Sequence, residues 1–309
     1  MIAVAIASFG REELLRRLLL SLRPCPALAD GRLILVNNGP RPLAELTRET
    51  GWPDATIVTP PKNLGCAGGV ARAMEEALRD PRIRHVLVLD DDATVEPDVP
   101  EKLREVLLAT GGGLAVPMVT NAAGEVAWFP GLRDRAKWHV IKRPGLRPED
   151  YLRECGAEPV SFTWSAWPVI MMPRGTIERC GLPMRELWYQ GVDLEFTMRV
   201  TAQLPGYFVP TARARHEPPP IRLDRRFYLR ECGGLQNSFY VVLRLPHGRR
   251  ALRHLPGNVY RFFRCWGCRP QVLVDVARAF WWGAVRAKPQ GIDGFDHFQR
   301  RWAQEPATP

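Results

Sequence analysis

Over the N-terminal third of the chain, unbroken apolar runs alternate with segments whose apolar residues recur every three or four positions. The runs, at 2–8, 33–36, 55–59 and 86–89, predict strands. Between them, 11–22 places Leu14, Leu15, Leu18, Leu19 and Leu22 at helical spacing, and 67–78 reads as a second helix. Strands that are apolar throughout and separated by helices predict an α/β fold with a mostly parallel, Rossmann-like sheet covered on both faces. In such sheets the ligand cleft opens at the carboxyl ends of the strands.

The middle of the chain has a less regular pattern. Gly111, Gly112 and Gly113 open a strand at 114–119, and Asn121 to Gly124 carry a hairpin-turn signal. The polar, basic stretch 130–155 predicts a mobile loop or short helices, 160–172 a strand and its connection, and 193–202 a helix with Leu194, Met198 and Val200 inward. Glu217-Pro218-Pro219-Pro220 continues neither a helix nor a central strand and marks a boundary. Helical patterns follow near 224–245, 249–264 and 270–288. The expected organisation is therefore a domain over 1–217, with halves 1–110 and 111–217, and a basic, mainly helical region over 218–309.

Composition narrows the class. A chain of 309 residues with 46% apolar and 25% charged residues can bury a full core. It has no run of about 18 apolar residues that would span a bilayer. The apolar start lacks a basic leader and reads as a first strand, so a cytoplasmic protein is expected. Seven scattered cysteines argue against a disulfide framework; Cys265 and Cys268 have CxxC spacing but no second pair, and read as reduced thiols rather than zinc ligands. The net charge of +10 is uneven: residues 213–309 hold 18 Lys/Arg against 7 Asp/Glu, and residues 1–212 hold 25 against 26. A basic C-terminal third suits contact with an anionic surface or a solvated outer face.

The strand ends carry the candidate chemistry. The run 85–89 stops in Asp90-Asp91-Asp92. Adjacent carboxylates repel one another, and a divalent cation holding a diphosphate would neutralise them. Strand alternation would turn Asp90 and Asp92 to one side and Asp91 to the other. Ser8-Phe9-Gly10-Arg11 and Asn37-Asn38-Gly39 end the first and second strands. Lys62-Asn63-Leu64-Gly65-Cys66-Ala67-Gly68-Gly69 joins a strand to a helix, where glycines let the backbone approach a ligand and the helix N-terminus favours negative charge.

Taken in order and spacing, Ser8-Phe9-Gly10-Arg11, Val36-Asn37-Asn38-Gly39, Asn63-Leu64-Gly65 with Ala67-Gly68-Gly69, and Leu89-Asp90-Asp91-Asp92 resemble the family 2 inverting glycosyltransferases of GT-A fold. The resemblance covers about residues 1–217 and is nearest the galactofuranosyltransferase and rhamnosyltransferase branch. It implies a nucleotide-sugar site formed by Ser8, Phe9, Arg11, Asn37, Asn63, Gly65, Arg72 and Asp91, with Mn²⁺ or Mg²⁺ on Asp90, Asp92 and His216. The family's usual acid of the second loop is Asn37 here, and its Asn-Arg after the glycine pair is Ala71-Arg72. Gly191-Val192-Asp193-Leu194-Glu195-Phe196 resembles the segment that supplies the base, with Asp193 first and Glu195 second; Val192 stands where an acid is common.

Trp164 and Trp167, with Trp188, are the implied acceptor-sugar wall, aromatic faces being suited to stacking on sugars; core packing is the competing reading. The implied donors are UDP-galactofuranose or dTDP-rhamnose, and the implied acceptor is a cell-envelope glycan or lipid-linked sugar. Basic and aromatic residues interleave at Arg261, Phe262, Phe263, Arg264, Trp266, Arg278, Phe280, Trp281, Trp282, Arg286 and Lys288. That mixture suits the edge of an anionic membrane, at its inner face, or a helical layer with a basic outer side. Two alternatives remain: a sugar-phosphate nucleotidyltransferase, whose Gly-rich basic first loop is missing here, and a non-catalytic nucleic-acid-binding protein, which gives the triple aspartate no role. On the transferase reading no nucleic-acid partner is expected.

Overall fold

The computed structural model describes residues 1–218, 222–286 and 297–304. The expected boundary prolines Pro219 and Pro220, together with Lys288, lie outside the described residues, as does the side chain of Arg286.

Among the described residues nine strands form one sheet: β1 (Ile2–Ser8), β2 (Arg32–Asn37), β3 (Thr56–Val58), β4 (His85–Asp90), β5 (Ala93–Val95), β6 (Leu114–Thr120), β7 (Val160–Phe162), β8 (Val169–Pro173) and β9 (Gly206–His216). Their order is β3-β2-β1-β4-β8-β6-β9-β5, with β7 also on β9. The apolar runs of the N-terminal third make the parallel part, β3-β2-β1-β4. Beyond β4 the sheet is mixed, because β8 runs antiparallel to both β4 and β6, whereas β6 and β9 are parallel. The sequence pattern does not reveal β9. Its burial alternates, as half-covered strands do, but Pro210 interrupts it; the structure places that proline in an irregularity where the β6–β9 register shifts.

The flanking helices follow from the side chains they bury. Helix α1 (Glu12–Leu22) turns Leu15, Leu18, Leu19 and Leu22 into the core. Helix α2 (Ala44–Glu49) is short, and α3 (Gly65–Leu78) buries a face of small residues. A Cβ at Gly69 would lie 2.6 Å from Ala7 Cβ and 2.9 Å from Asn38 Nδ2, so glycine there lets α3 press on β1. Helix α4 (Val99–Thr110) ends at Gly111 in a left-handed turn. The polar stretch forms two short helices, α5 (Arg135–Ile141) and α6 (Pro148–Cys155), and α7 (Arg174–Cys180) follows β8. Helix α8 (Val192–Thr201) buries Met198 and Val200, while Leu194 is only half-buried.

Two compact units result: Met1–Pro183 with Phe196–Pro218, and Met184–Glu195 with Pro219–Pro309. The first holds the whole sheet. The second takes in Met184–Glu195, a segment the sequence reading assigned to the first domain. It is built on α9 (Arg225–Arg244), whose cap Asp224 accepts a hydrogen bond from the Phe227 N–H at 2.7 Å. The helix expected at 249–264 is instead a 3₁₀ segment, Pro246–His254, followed by α10 (Leu255–Trp266). Pro256 in the first turn of α10 cannot donate to a preceding turn and marks the change. Helix α11 (Pro270–Phe280) passes into a π turn (Trp281–Arg286), and α12 (His297–Gln304) packs on α9. No helix among the described residues is long and apolar enough to cross a membrane.

Candidate metal and nucleotide-sugar site

The acid triplet lies where β4 ends beside β1. Parallel pairing sets Asp90 opposite Ala7, so the Ser8–Arg11 loop borders the aspartates. The strand stops at Asp90, and Asp91 and Asp92 occupy a turn that leads into β5. The turn, rather than strand alternation, therefore separates the three acids. Ala93 of β5 is the antiparallel partner of His216 at the end of β9, and Glu217 N–H donates to the Asp92 carbonyl at 3.1 Å. This ladder carries His216 across 124 positions of sequence to the side of Asp92.

His216 Nε2 lies 2.8 Å from Asp92 Oδ1 and 3.7 Å from Asp90 Oδ2. Ligand atoms of Asp90, Asp92 and His216 all fall within 4.8 Å of one another, the one such group of three among the described residues. Two carboxylate oxygens and an imidazole nitrogen form a donor set suited to Mn²⁺ or Mg²⁺, and these residues fit such an ion. The opposite ring nitrogen, His216 Nδ1, is buried and has no hydrogen-bond partner among the described residues, so the tautomer is not fixed from that side. The indole of Trp128 meets the His216 ring edge-on, with centroids 4.4 Å apart. Trp128 holds a left-handed φ of 48°, uncommon for a bulky residue.

Asp91 faces other partners. Its Oδ2 accepts from Ser8 Oγ at 2.7 Å, and its Oδ1 from Arg11 Nη1 at 2.9 Å. The same Arg11 nitrogen donates to Asp92 Oδ2 at 2.7 Å. Burial pushes the Asp91 carboxyl up, and Asp92 adds to this against the pull of Arg11 and Ser8. Burial also works to raise Asp92, but the His216 hydrogen bond and charge and the Arg11 guanidinium outweigh it, and its net shift is downward.

The other residues expected at the nucleotide-sugar site sort by their contacts. Phe9 is 45% exposed and presents a free aromatic face at the loop tip. Asn37 is buried, with Nδ2 donating to the Arg41 carbonyl and Oδ1 accepting from Gly39 N–H, so its amide shapes its own loop. Its neighbour Asn38 joins two loops: Nδ2 donates to the Gly65 carbonyl at 3.1 Å, and Oδ1 accepts from Leu64 N–H at 3.0 Å. Asn63 Oδ1 accepts from Gly65 N–H at 2.8 Å at the start of α3. Arg72 lies along α3, within 3.6 Å of Glu75 and 3.4 Å of Glu76.

On the proposed acceptor side, Trp164 is half-buried and belongs to an aromatic group with Trp138, 6.0 Å away, and Phe129. A Cβ at Gly131 would lie 2.2 Å from Trp164 Nε1, so glycine is what lets the indole lie there. Trp167 is different: only 3% exposed and packed against Phe196, it lies in the core.

In the second unit, Asp193 is half-buried; burial raises its carboxyl above the usual carboxylate range, against hydrogen bonds from backbone N–H groups, one of them Leu194 at 2.8 Å. Glu195 is fully buried with His247 Nε2 3.3 Å from its Oε1. Trp188 has a left-handed φ of 55° and meets Trp302 edge-on at 4.8 Å. Sequence reasoning missed Trp128, Asn38, His247 and Trp302. Asn38 lay inside a recognised motif; the other three are brought to their partners only by tertiary structure.

Comparison with known proteins agrees with the geometry. Galactofuranosyltransferase GlfT2 of Mycolicibacterium smegmatis is 28% identical over 171 residues, covering 47% of this chain and 25% of that protein. Galactofuranosyltransferase GlfT2 of Mycobacterium tuberculosis is 25% identical over 165 residues, covering 47% and 26%. The chain therefore matches about a quarter of the length of these relatives. Among solved structures, S. aureus TarS 1-349 superposes with a TM-score of 0.58 at 12% identity, covering 98% of this chain and 91% of that one. GalNAc-T7 with UDP, GalNAc and Mn²⁺ superposes with a TM-score of 0.52 at 14% identity, covering 91% and 58%. The shared architecture is the GT-A fold. Residues 3–158, just over half of the chain, match the family model of Glycosyl transferase family 2, and the chain belongs to that family.

Proposed function

We propose that the protein is a metal-dependent, inverting glycosyltransferase that moves galactofuranose from UDP-galactofuranose, or rhamnose from dTDP-rhamnose, to a hydroxyl of a cell-envelope glycan or lipid-linked acceptor. The observation that carries this reading is the convergence of Asp90, Asp92 and His216 at the strand ends. The named galactofuranosyltransferases among its relatives support the first donor. Membership of the family favours transfer over nucleotidyl exchange.

Asp90, Asp92 and His216 would hold Mn²⁺ or Mg²⁺, which when bound offsets diphosphate charge and stabilises the departing nucleotide. Ser8 and Arg11 hold Asp91 in place, and Arg11 brings a fixed positive charge to the same cluster. Phe9 offers a face for the base, while the loops shaped by Asn37, Asn38 and Asn63 bring backbone groups and the α3 N-terminus toward the phosphates. Arg72 is proposed for the diphosphate and would exchange its glutamate partners for it.

Asp193 takes the proton of the acceptor hydroxyl as its oxygen bonds to the anomeric carbon and the bond to the diphosphate breaks on the opposite face. Its raised carboxyl makes it the stronger base once ionised. Glu195, enclosed beside His247, is better suited to holding structure, which favours Asp193. Trp164, with Trp138, and Trp188 are the proposed aromatic surfaces for the acceptor. If the acceptor is lipid-linked, the basic C-terminal helices would meet it at an anionic membrane.

A panel of nucleotide-sugars with Mn²⁺, scored by thermal shift and by sugar release, tests this reading. Stabilisation and turnover with one uridine or thymidine diphosphate sugar, lost on chelation, is expected. Metal-independent turnover, or none with any donor, would overturn it.

A further inference from the structure

The segment Pro270–Arg286 has two faces of opposite character. Val272, Asp275, Ala279 and Gly283 are buried, on the side that packs against α9. A Cβ at Gly283 would lie 2.3 Å from the Gln236 carbonyl, so the contact is close. On the other face Leu273, Val274, Trp281 and Val285 are each between 44% and 51% exposed, with Ala277 exposed between them; Phe280, 44% exposed, lies at the margin with its ring against Phe239 of α9, centroids 5.2 Å apart. Spacings of three, four and seven residues join these positions into one stripe along the helix and its π turn. Isolated apolar residues on a surface are ordinary, but an aligned stripe of this size marks a contact surface.

Among the described residues of this segment and Arg244 beside it, the exposed charges are of one sign. Arg269 is exposed at its start and Arg278 on its flank. Arg244, also exposed, donates from Nη1 to the carbonyls of Ala284 and Val285 at its end. The one acid between 269 and 286 is Asp275, which is fully buried and bound to Tyr228, Gln271, Arg278 and Arg301. Among the described residues of this segment, the exposed face thus offers cations and apolar groups with no carboxylate.

We propose that this face docks on an anionic lipid surface, with Leu273, Val274 and Trp281 in the interfacial layer and Arg244, Arg269 and Arg278 at the phosphates. Aromatic residues favour the boundary between headgroups and chains, and each arginine adds attraction to an anionic leaflet. Nucleic acid would use the arginines and could stack on Trp281, but would give the aliphatic positions Leu273, Val274 and Val285 nothing to bury against. The proposal makes specific the membrane contact suggested above for a lipid-linked acceptor, and its evidence is independent of the donor site.

The full-length protein, with Leu273→Glu and Trp281→Glu variants, is sedimented with vesicles of phosphatidylcholine alone or mixed with phosphatidylglycerol. Each variant is checked by circular dichroism melting and by metal-dependent donor hydrolysis. The parent should bind the mixed vesicles, release them as salt rises, and bind phosphatidylcholine poorly. Either glutamate should weaken binding by about tenfold or more, with melting and hydrolysis unchanged. Trp281→Phe should retain binding. No vesicle binding by the parent overturns the proposal, as does equal binding by folded parent and variants. Loss of a dimer in the variants, without vesicle binding by the parent, would instead make the stripe a self-association surface. Vesicle binding without donor turnover would leave this docking standing and count against the transferase reading; turnover without vesicle binding would do the reverse.

Discussion

Trp128 and His216 form a T-shaped ring pair, with centroids 4.4 Å apart and planes at 83°. His216 has no hydrogen bond on its Nδ1 side among the described residues, and the indole contact is one restraint on the ring beside its Nε2 bond to Asp92. Partners that orient a metal-binding histidine typically contribute one to two orders of magnitude in metal affinity. Trp128→Ala should therefore raise the Mn²⁺ concentration needed for half-maximal donor turnover by about 10–100-fold. Trp128→Phe should recover part of the loss, and circular dichroism should show an intact fold. An unchanged Mn²⁺ titration for Trp128→Ala would remove the positioning role.

Arg11 and a divalent cation should compete for the same field. The guanidinium bridges Asp91 and Asp92 at 2.9 Å and 2.7 Å, and both carboxylates are buried. Arg11→Met leaves them facing each other without it, and should cost about 1–3 kcal/mol in the absence of metal. Removing the positive charge also strengthens attraction for a cation, so Mn²⁺ should raise the melting temperature more in Arg11→Met than in the parent. Equal metal-induced shifts would show that Arg11 does not couple to the cation.

Asp193 gives a pH prediction with a definite sign. Its folded-state pKa is raised chiefly by burial, so the native protein holds this proton more tightly than the unfolded chain does. Its contribution to stability therefore declines as pH rises from the ordinary carboxylate pKa through the raised one. Asp193→Asn should melt higher than the parent at neutral pH and show little difference well below the ordinary range. The variant should bind donor and lose transfer. In the parent, the acid limb of kcat/KM should lie above the range of an ordinary carboxylate. Transfer at the parental rate by Asp193→Asn would exclude it as the base.

Glu195 should separate structure from chemistry. It is wholly enclosed, with His247 3.3 Å away. Glu195→Gln should lower stability by about 1–3 kcal/mol while kcat is retained. A stable Glu195→Gln variant without transfer would exchange the roles assigned to the two acids.

What was legible in the sequence follows the physics of each element. The parallel strands announced themselves because burial on both faces demands unbroken apolar runs, as in Val86–Leu89 within β4. The acid triplet could be read because three adjacent carboxylates at a strand end need a counter-charge. The mixed half of the sheet could not: β5 is three residues long, and β9 mixes Pro210 with alternating arginines. His216 was reached through resemblance alone, since the Ala93–His216 pairing that places it is a long-range register. Trp128, Trp167 and Trp302 show why aromatic residues resist assignment from sequence. The same side chain can stiffen a ligand, fill a core or line a surface, and only its neighbours decide which.

Asp90, Asp92 and His216 are positioned to hold together the cation of a donor diphosphate, as proposed above. Anomalous scattering at the manganese edge, from crystals grown with Mn²⁺ and uridine diphosphate, tests it directly. A single strong peak in contact with all three side chains and the diphosphate is expected, absent from Asp92→Ala crystals. Nucleotide bound with no peak at these residues, or a peak at another site, would contradict it.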